Sequence, residues 1–251
     1  MKTLFLHGFT GSGASWADFI AQTTLDSSHV STPDLPGHGA NLPADIDAYT
    51  MEAAGEALLT HIDQQMTAPV HLYGYSMGGR LALYLALNHA DRFASLTLES
   101  ASPGLKTEEE RIARRASDEA LADRLEQNGI AAFVEEWERL PMWASQQTTL
   151  TDEQRAALHD QRLRNDPRGL ANSLRGMGTG VQSSLWDRLW ELKLPLLLIT
   201  GEQDLKFSAI AHEIQFELLH AERKVIPYTG HAVHLEQPRS VWEAWSDFVG
   251  I

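Results

Sequence analysis

A Gly-Tyr-Ser-Met-Gly segment, residues 74–78, is the part of this 251-residue chain best suited to chemistry. An apolar run at 69–73 precedes it and a helical pattern at 79–87 follows it, which is the strand–turn–helix setting of a nucleophile elbow. Glycines are expected there because the serine of such a turn has a strained backbone and close neighbours. The pattern therefore predicts a reactive Ser76 at the C-terminal edge of a sheet, beside a helix N-terminus.

A reactive serine hydroxyl needs a base, and that base needs an orienting carboxylate. In a fold built on this elbow the order is serine, acid, histidine, with each partner on the loop after a later strand. Asp204 follows the predicted strand at 195–200, and His231 follows the one at 224–227. We therefore predict a catalytic triad of Ser76, Asp204 and His231.

Each of these partners has a competitor nearby. Glu202 is a second acid on the same loop as Asp204, and Asp204 could serve only as the N-cap of the next helix. His234, three residues after His231, is the serious rival among 11 histidines. The position of each residue directly after its strand favours Asp204 and His231.

The oxyanion hole of such a site combines two backbone N–H groups. One should belong to Met77, directly after the serine. The loop after the first strand reads His-Gly-Phe-Thr-Gly-Ser-Gly over 7–13, so Phe9 is the predicted second donor. An ordinary glycine-rich turn is the alternative for this loop. The Asp-Leu-Pro-Gly-His-Gly run at 34–39 is interpreted as a structural loop at the rim.

The rest of the chain supplies elements that could position these residues. Strand-like runs at 3–7, 30–33, 70–74, 95–99, 195–200 and 224–227 alternate with helical patterns at 16–24, 51–65, 77–88, 208–219 and 240–248. This rhythm predicts an α/β fold with a mostly parallel sheet flanked by helices. With 43% hydrophobic residues, the chain is long enough to bury one large core.

Residues 104–186, called the insertion below, break that rhythm with amphipathic helices alone. Capping boxes beginning at Thr107 and Thr151 indicate two helix starts, and Gly129 and the Asp166-Pro167 pair indicate helix ends. We predict a hydrolase-type core formed by 1–103 and 187–251, with 104–186 as a helical lid over the site. An extra helical layer with no role in binding is the alternative.

Composition limits the partners. The net charge of −14, from 20 basic and 34 acidic residues, argues against nucleic acid or an anionic membrane surface. The chain has no cysteine, so disulfides, thiolate metal sites and cysteine nucleophiles are excluded. No apolar stretch has the length of a membrane span. We expect a cytoplasmic monomer or weak oligomer that uses no cofactor and no metal.

Arginines distinguish this site from that of an esterase for neutral substrates. Arg80 lies four residues after Ser76, one turn into the elbow helix, where its guanidinium could hold a substrate carboxylate. The insertion adds Arg111, Arg114, Arg115, Arg162 and Arg164. Arg111 and Arg115 are interpreted as members of solvated faces, paired with nearby glutamates. In so acidic a protein, the other arginines favour a small polyanionic substrate.

Motifs spread along the chain resemble a known family. Besides the elbow, these are Phe-Leu-His-Gly-Phe at 5–9, Asp-Leu-Pro-Gly-His-Gly at 34–39, Gly-Gly-Arg at 78–80, Pro-Gly-Leu at 103–105, the segment 133–137, and Gly-Glu-Gln-Asp-Leu-Lys-Phe at 201–207. The chain resembles the α/β-hydrolase superfamily over its whole length. In detail it is similar to the 2-succinyl-6-hydroxy-2,4-cyclohexadiene-1-carboxylate synthases of menaquinone biosynthesis.

That resemblance implies a lyase that eliminates pyruvate from an enolpyruvyl-cyclohexene carrying three carboxylates. In it the triad acts as a proton-abstracting base rather than as an acyl acceptor. The roles it implies are carboxylate binding by Arg80, Arg114 and Arg162 (or Arg164), and pocket lining by Tyr75 and Trp137. The alternatives are a serine esterase or thioesterase, or a C–C hydrolase, acting on a small acidic substrate. A ligand sensor with a disabled site is disfavoured because all three triad residues are present.

Overall fold

The computed structural model describes residues 2–251, in which six parallel strands form a single sheet. The strands are β1 (Thr3–Leu6), β2 (Val30–Ser31), β3 (Val70–Tyr75), β4 (Phe93–Glu99), β5 (Leu196–Gly201) and β6 (Glu222–Ile226). Each predicted strand is present, with its ends shifted by one or two residues. In the order β2-β1-β3-β4-β5-β6, the chain places β2 on one side of β1 and then β3 on the other side. A crevice therefore opens at the C-terminal ends of β1 and β3. The predicted α/β-hydrolase fold is confirmed.

The central strands are buried on both faces, which explains why they are apolar without interruption. Successive side chains point to opposite faces, so Leu4 and Leu6 enter one core layer while Phe5 enters the other. The first layer lies under helices α2 and α3, defined below. The second layer contains Trp16 and Trp245, both fully buried. This double burial fixes the sheet and therefore the strand ends that carry the site.

Helices cover both faces of the sheet. They are α1 (Ala17–Ala21), α2 (Met51–Gln65), α3 (Met77–Asn88), α4 (Glu108–Glu138), α5 (Gln146–Thr149), α6 (Asp152–Leu163), α7 (Pro167–Met177), α8 (Leu205–Glu217), α9 (Val233–Glu236) and α10 (Pro238–Val249). The predictions for α2 and α3 are confirmed to the residue. Helix α1 begins one residue later than predicted, after a 3₁₀ turn at Gly13–Trp16, and it ends at Ala21, three residues before the predicted end. Within residues 2–251, no helix combines the length and apolarity needed to cross a membrane.

The insertion is helical, as predicted, and its caps are confirmed. The Thr107 and Thr151 side chains accept from backbone N–H groups in the first turns of α4 and α6, in complete capping boxes. Gly129 interrupts α4 with a φ of 77°, a conformation that favours glycine. Asp166 caps α7, which packs on α4. The insertion thus has a small core of its own, made by Ala122, Leu125, Phe133, Val134, Leu170, Ala171 and Leu174.

Candidate active site

The turn between β3 and α3 holds Ser76 in a strained conformation, with φ 51° and ψ −109°. Its N–H donates to the carbonyl oxygen of Glu99 at 2.9 Å, so the neighbouring strand fixes the turn. A Cβ atom on Gly78 would overlap the carbonyl oxygens of Leu6 and His7. The elbow glycine is therefore required by the close approach of β1, and the serine hydroxyl is presented at the strand ends.

The structure brings the three predicted triad residues together. Nε2 of His231 lies 3.0 Å from Oγ of Ser76, and Nδ1 of His231 lies 2.7 Å from Oδ2 of Asp204. The other oxygen of Asp204 accepts from the N–H of Phe207 at 3.3 Å and so caps α8. Asp204 is therefore both a helix N-cap and the partner of His231, and α8 begins three residues before the predicted start because of that cap.

The two competitors have other partners. Glu202 is exposed and accepts from the N–H of Tyr228 at 3.0 Å. His234 is buried, and its Nδ1 lies 2.8 Å from a carboxylate oxygen of Glu99. Neither arrangement presents the side chain to Ser76.

The two residues predicted to supply the oxyanion amides line the same cavity as the serine. The N–H of Gly78 donates to the carbonyl oxygen of His7 at 3.1 Å, which joins the loop after β1 to the elbow. Phe9 and Met77, the predicted oxyanion donors, both line the cavity at this junction. Within residues 2–251 neither of their N–H groups donates to a backbone acceptor outside regular structure. Both residues thus lie at the cavity beside Ser76, where the predicted oxyanion hole requires them.

The buried side chain of His7 holds the loop at residues 7–13, called the oxyanion loop below. Its Nδ1 lies 2.9 Å from the carbonyl oxygen of Gly8, and its Nε2 accepts from the N–H of Leu35 at 3.0 Å. Burial lowers the pKa of His7 to about 4, so the ring is neutral near pH 7 and can play both roles. Sequence reasoning noticed the His-Gly pair but gave His7 no role of its own.

A cavity of about 340 Å³ opens beside the triad, between the core and the insertion. Ser76, His231, Tyr75, Arg80 and Lys206 line it from the core. The insertion contributes mainly apolar side chains, among them Leu121, Trp137, Leu140, Met142 and Trp143, together with Arg114. The predicted pocket residues Tyr75 and Trp137 thus lie on opposite sides of the cavity. Within residues 2–251 no group of three or more His, Asp or Glu side chains is arranged to hold a metal ion.

Arg80 is a buried cation, only 8% exposed, in the wall of this cavity. Its Nη1 donates to Oε1 of Gln182 at 2.8 Å and its Nη2 to the carbonyl oxygen of Met177 at 2.7 Å. No carboxylate of residues 2–251 forms an ion pair with it. Burial, with the nearby charge of Arg114, lowers its pKa to about 10, so it stays protonated at neutral pH. The cavity wall therefore holds a buried positive charge whose hydrogen-bond partners are neutral acceptors.

Arg114 also lines the cavity, on the first helix of the insertion. Its Nε donates to Asp118 at 2.7 Å, and the Arg114 side chain is 41% exposed while that of Asp118 is 6% exposed. Arg111 and Arg115 pair with Glu108, as predicted for a solvated face. Arg114 is thus partly neutralised, in contrast to Arg80.

Arg162 and Arg164 do not line the cavity. Nη1 of Arg162 donates to Glu138 at 2.8 Å, and its guanidinium lies 5.1 Å from the ring centre of Trp143, a cavity residue. Arg164 is exposed and donates to a carbonyl oxygen of its own helix. The third cation of the cavity is instead Lys206, which sequence reasoning missed as a site residue. The available signal was its position two residues after Asp204, in a run already noted as specific.

Known proteins resemble this chain over almost all of its length. A family model described as the alpha/beta hydrolase fold matches residues 4–238. A putative 2-succinyl-6-hydroxy-2,4-cyclohexadiene-1-carboxylate synthase of Bacillus subtilis is 44% identical over 245 residues, 97% of this chain and 88% of that protein. The synthase of that name from Escherichia coli strain SMS-3-5 is 33% identical over 238 residues, covering 95% and 89%. The solved structure of MenH from S. aureus matches with a TM-score of 0.93 and 37% identity, covering 100% of this chain and 93% of that one.

Proposed function

Because the chain belongs to the α/β-hydrolase family and, within it, to the 2-succinyl-6-hydroxy-2,4-cyclohexadiene-1-carboxylate synthases, we propose that it is a lyase of menaquinone biosynthesis. Its substrate is 2-succinyl-5-enolpyruvyl-6-hydroxy-3-cyclohexene-1-carboxylate. It eliminates pyruvate from this compound and leaves the cyclohexadiene. The substrate carries ring, succinyl and enolpyruvyl carboxylates, so a cationic cavity is required.

The observation that supports this substrate best is the buried positive charge of Arg80, which lines the same cavity as Ser76 and, within residues 2–251, forms no ion pair. An unpaired buried guanidinium is costly unless a ligand completes it, because its charge has lost water without gaining an anion. A substrate carboxylate supplies that anion. A neutral ester would leave the cost in place, so the geometry favours an acidic substrate.

We assign the proton abstraction to the Ser76–His231 pair. The Nδ1–H group of His231 donates a hydrogen bond to Asp204 at 2.7 Å. This leaves the unprotonated Nε2 as the base facing Oγ of Ser76 at 3.0 Å. Nε2 takes the serine proton while Oγ removes the proton from the ring carbon beside the succinyl ketone. The imidazolium that forms is stabilised by the Asp204 carboxylate.

The electrons of the broken C–H bond first move onto the ketone oxygen. We assign the stabilisation of this enolate to the N–H groups of Phe9 and Met77, the same electrostatic task as in acyl transfer. The pair then returns through the ring as a conjugated diene, and the ring carbon–oxygen bond breaks. Enolpyruvate leaves with the bond electrons and becomes pyruvate by taking up one proton. The imidazolium of His231 gives up one proton in turn, which restores the neutral Ser76–His231 pair. No water is consumed and no bond to Ser76 forms.

Carboxylate binding is assigned to Arg80 and Arg114, both in the cavity wall. Lys206 is a third cation that lines the cavity, and we assign Tyr75 and Trp137, which also line it, to contact with the substrate ring. Arg162 has a supporting role in this proposal, because its guanidinium packs on Trp143 and pairs with Glu138. It would therefore shape the cavity rather than bind the substrate directly.

We further propose that the insertion, residues 104–186, acts as a lid on a core formed by 1–103 and 187–251. Its helices form one side of the cavity. It also docks on the oxyanion loop, since the side-chain amide of Asn165 donates to the carbonyl oxygen of Thr10 at 2.9 Å. A lid that excludes water would strengthen each charge interaction inside the cavity.

A coupled assay tests the proposed reaction. The substrate is generated in situ from isochorismate and 2-oxoglutarate by the preceding pathway enzyme, the protein is added, and pyruvate is followed with lactate dehydrogenase alongside diene absorbance. We expect pyruvate and diene to rise in equal amounts, well above the spontaneous rate, and to do so only slowly with Ser76→Ala.

The esterase and C–C hydrolase alternatives are distinguished in the same experiment. Hydrolysis of the enol ether would give pyruvate without the diene. A spontaneous rate of elimination together with rapid hydrolysis of aryl esters or thioesters would overturn the lyase assignment. The charge of Arg80 would then need a different ligand.

A further inference from the structure

Behind the triad lies a buried acid–base pair that the proposed mechanism does not use. Glu99, the last residue of β4, is 0% exposed. Its Oε1 accepts from the backbone N–H of His234 at 3.0 Å and faces Nδ1 of the same residue at 2.8 Å. Its Oε2 accepts from the hydroxyl of Tyr73 at 2.6 Å. Such a buried carboxylate is retained only where its donors are held in place around it.

Glu99 also contacts Ser76 directly and, through His234, the segment that follows His231. Its carbonyl oxygen accepts from the N–H of Ser76 at 2.9 Å, which holds the nucleophile turn. Its side chain holds the start of α9 through His234, three residues after His231. One residue on one strand therefore connects the loop of the serine to the loop of its base.

Aromatic rings pack between these two loops and connect His234 to His231. The ring of His234 stacks on Trp16, with centroids 4.2 Å apart and planes at 27°. Tyr75 lies edge-on to His234 at 4.8 Å and 5.5 Å from the ring centroid of His231. Movement of His234 would be transmitted through Tyr75 to the catalytic imidazole.

The charge state of the pair supports the same role. Burial alone would raise the pKa of Glu99, but the charge of His234 and the hydrogen bonds from His234 and Tyr73 outweigh it and lower that pKa. Glu99 is therefore an anion near neutral pH, and its bonds to His234 are charge-assisted.

We infer that Glu99, acting through His234, is a positioning residue that sets the distance between Oγ of Ser76 and Nε2 of His231. This inference rests on the proposed function only in taking Ser76 and His231 as the reactive pair. Loss of the Glu99 side chain frees α9 from β4, and a displacement of about 1 Å between reacting groups can lower a rate by roughly 10²-fold.

The test compares Glu99→Ala with Glu99→Gln, which keeps a carbonyl acceptor for both His234 donors. Ser95→Ala is the matched control, because Ser95 lies on the same strand and loses a comparable bond, to Nδ1 of His71 at 2.8 Å, away from the site. Two experiments are done on each protein. The pyruvate assay gives kcat and KM, and covalent labelling of Ser76 by an aryl fluorophosphonate gives a labelling rate. The label reports the serine–imidazole pair without requiring the natural substrate.

For Glu99→Ala we expect kcat and the labelling rate to fall together, by roughly ten- to hundredfold, with KM changed less than about twofold. Glu99→Gln should recover most of both rates. Ser95→Ala should keep both within about twofold of wild type even where its melting temperature falls. His234→Gln, which removes the ring but keeps the backbone bond, should give a partial loss in both and replaces Glu99→Ala if that variant does not fold.

Three results would overturn the inference. One is labelling and kcat in Glu99→Ala, or in its substitute His234→Gln, that match Ser95→Ala within about twofold. The second is a loss confined to KM with labelling intact. The third is no recovery in a folded Glu99→Gln. If the wild-type protein labels rapidly but releases no pyruvate, the proposed function fails, and the labelling rates alone still decide the role of Glu99.

Discussion

The nucleophile turn on the core side of the cavity is held by the core's own main chain, whereas Arg80 in the same wall is held by the insertion. The nucleophile turn is fixed by backbone hydrogen bonds from Ser76 to Glu99 and from Gly78 to His7, at 2.9 and 3.1 Å. The guanidinium of Arg80, by contrast, donates to the side chain of Gln182 and to the carbonyl oxygen of Met177, both in the insertion. Backbone bonds in a buried sheet change little with side-chain identity. The nucleophile turn should thus change little under substitutions that alter which substrate the cavity accepts.

The largest effect should come from the core side, on chemistry alone. Ser76→Ala removes the atom that we assign to proton abstraction, so kcat should fall by roughly 10²–10⁴-fold, the usual contribution of a positioned acid or base. KM and the melting temperature should stay near those of the wild type, since the turn is held by backbone bonds. The pyruvate assay and a thermal melt measure this, and substantial remaining turnover would remove Ser76 from the mechanism.

The next effect tests the residue that joins the two sides. Arg80→Ala should weaken kcat/KM by roughly 2–5 kcal/mol, because truncating a buried cation leaves the substrate carboxylate unpaired in the cavity. Arg80→Lys keeps the charge but loses the two-pronged guanidinium, so it should fall between Ala and wild type. An unchanged kcat/KM in Arg80→Ala would mean that the bound carboxylates lie elsewhere.

Acid should lower the free energy of unfolding through the protonation of His7, a residue of the core side. Because burial lowers its folded pKa from 6.5 to about 4, the unfolded chain binds more protons between these values. The free energy of unfolding should therefore be fully retained above about pH 6.5 and lose about 3 kcal/mol as the pH falls towards 4. Burial and the neighbouring His7 also lower the pKa of His38, to about 3, which acts in the same direction.

Urea unfolding from pH 7 to 4 measures this dependence for wild type and His7→Gln. Gln can keep one donor and one acceptor but does not titrate, so the slope of stability against pH should be smaller in the variant. Equal slopes for the two proteins would show that His7 does not titrate as its burial indicates.

The smallest effects should separate two arginines of the insertion. Arg114→Ala should raise KM by a factor that corresponds to about 1 kcal/mol or less of binding free energy, since the Arg114 side chain is 41% exposed and already paired with Asp118. Arg162→Ala should instead lower the melting temperature, because it leaves Glu138 with His159 as its one remaining partner and removes the cation packed on Trp143. Steady-state kinetics and melts of both variants measure this. A large rise in KM with an unchanged melt for Arg162→Ala would restore it as a substrate ligand.

The same contrast explains how much could be read from the sequence. The elbow, the strand ends and the order of Asp204 and His231 were predictable because glycines and apolar runs are local signals. The partners of Arg162 were not, since Glu138 is 24 positions away on another helix and only the packing of α4 on α6 brings them together. The pairing of Glu99 with His234 was likewise hidden, because it depends on the position of a loop 135 residues further along the chain.

The most direct measurement is a single turnover followed by rapid quenching, with excess enzyme and a substrate deuterated at the ring carbon beside the ketone. Pyruvate, diene and the mass of the Ser76 peptide are recorded at each time. We predict that pyruvate and diene appear together, more slowly than with the protonated substrate, while the peptide keeps its unmodified mass. An ester on Ser76 that forms and decays at the turnover rate, with no deuterium effect, would contradict a Ser76–His231 base.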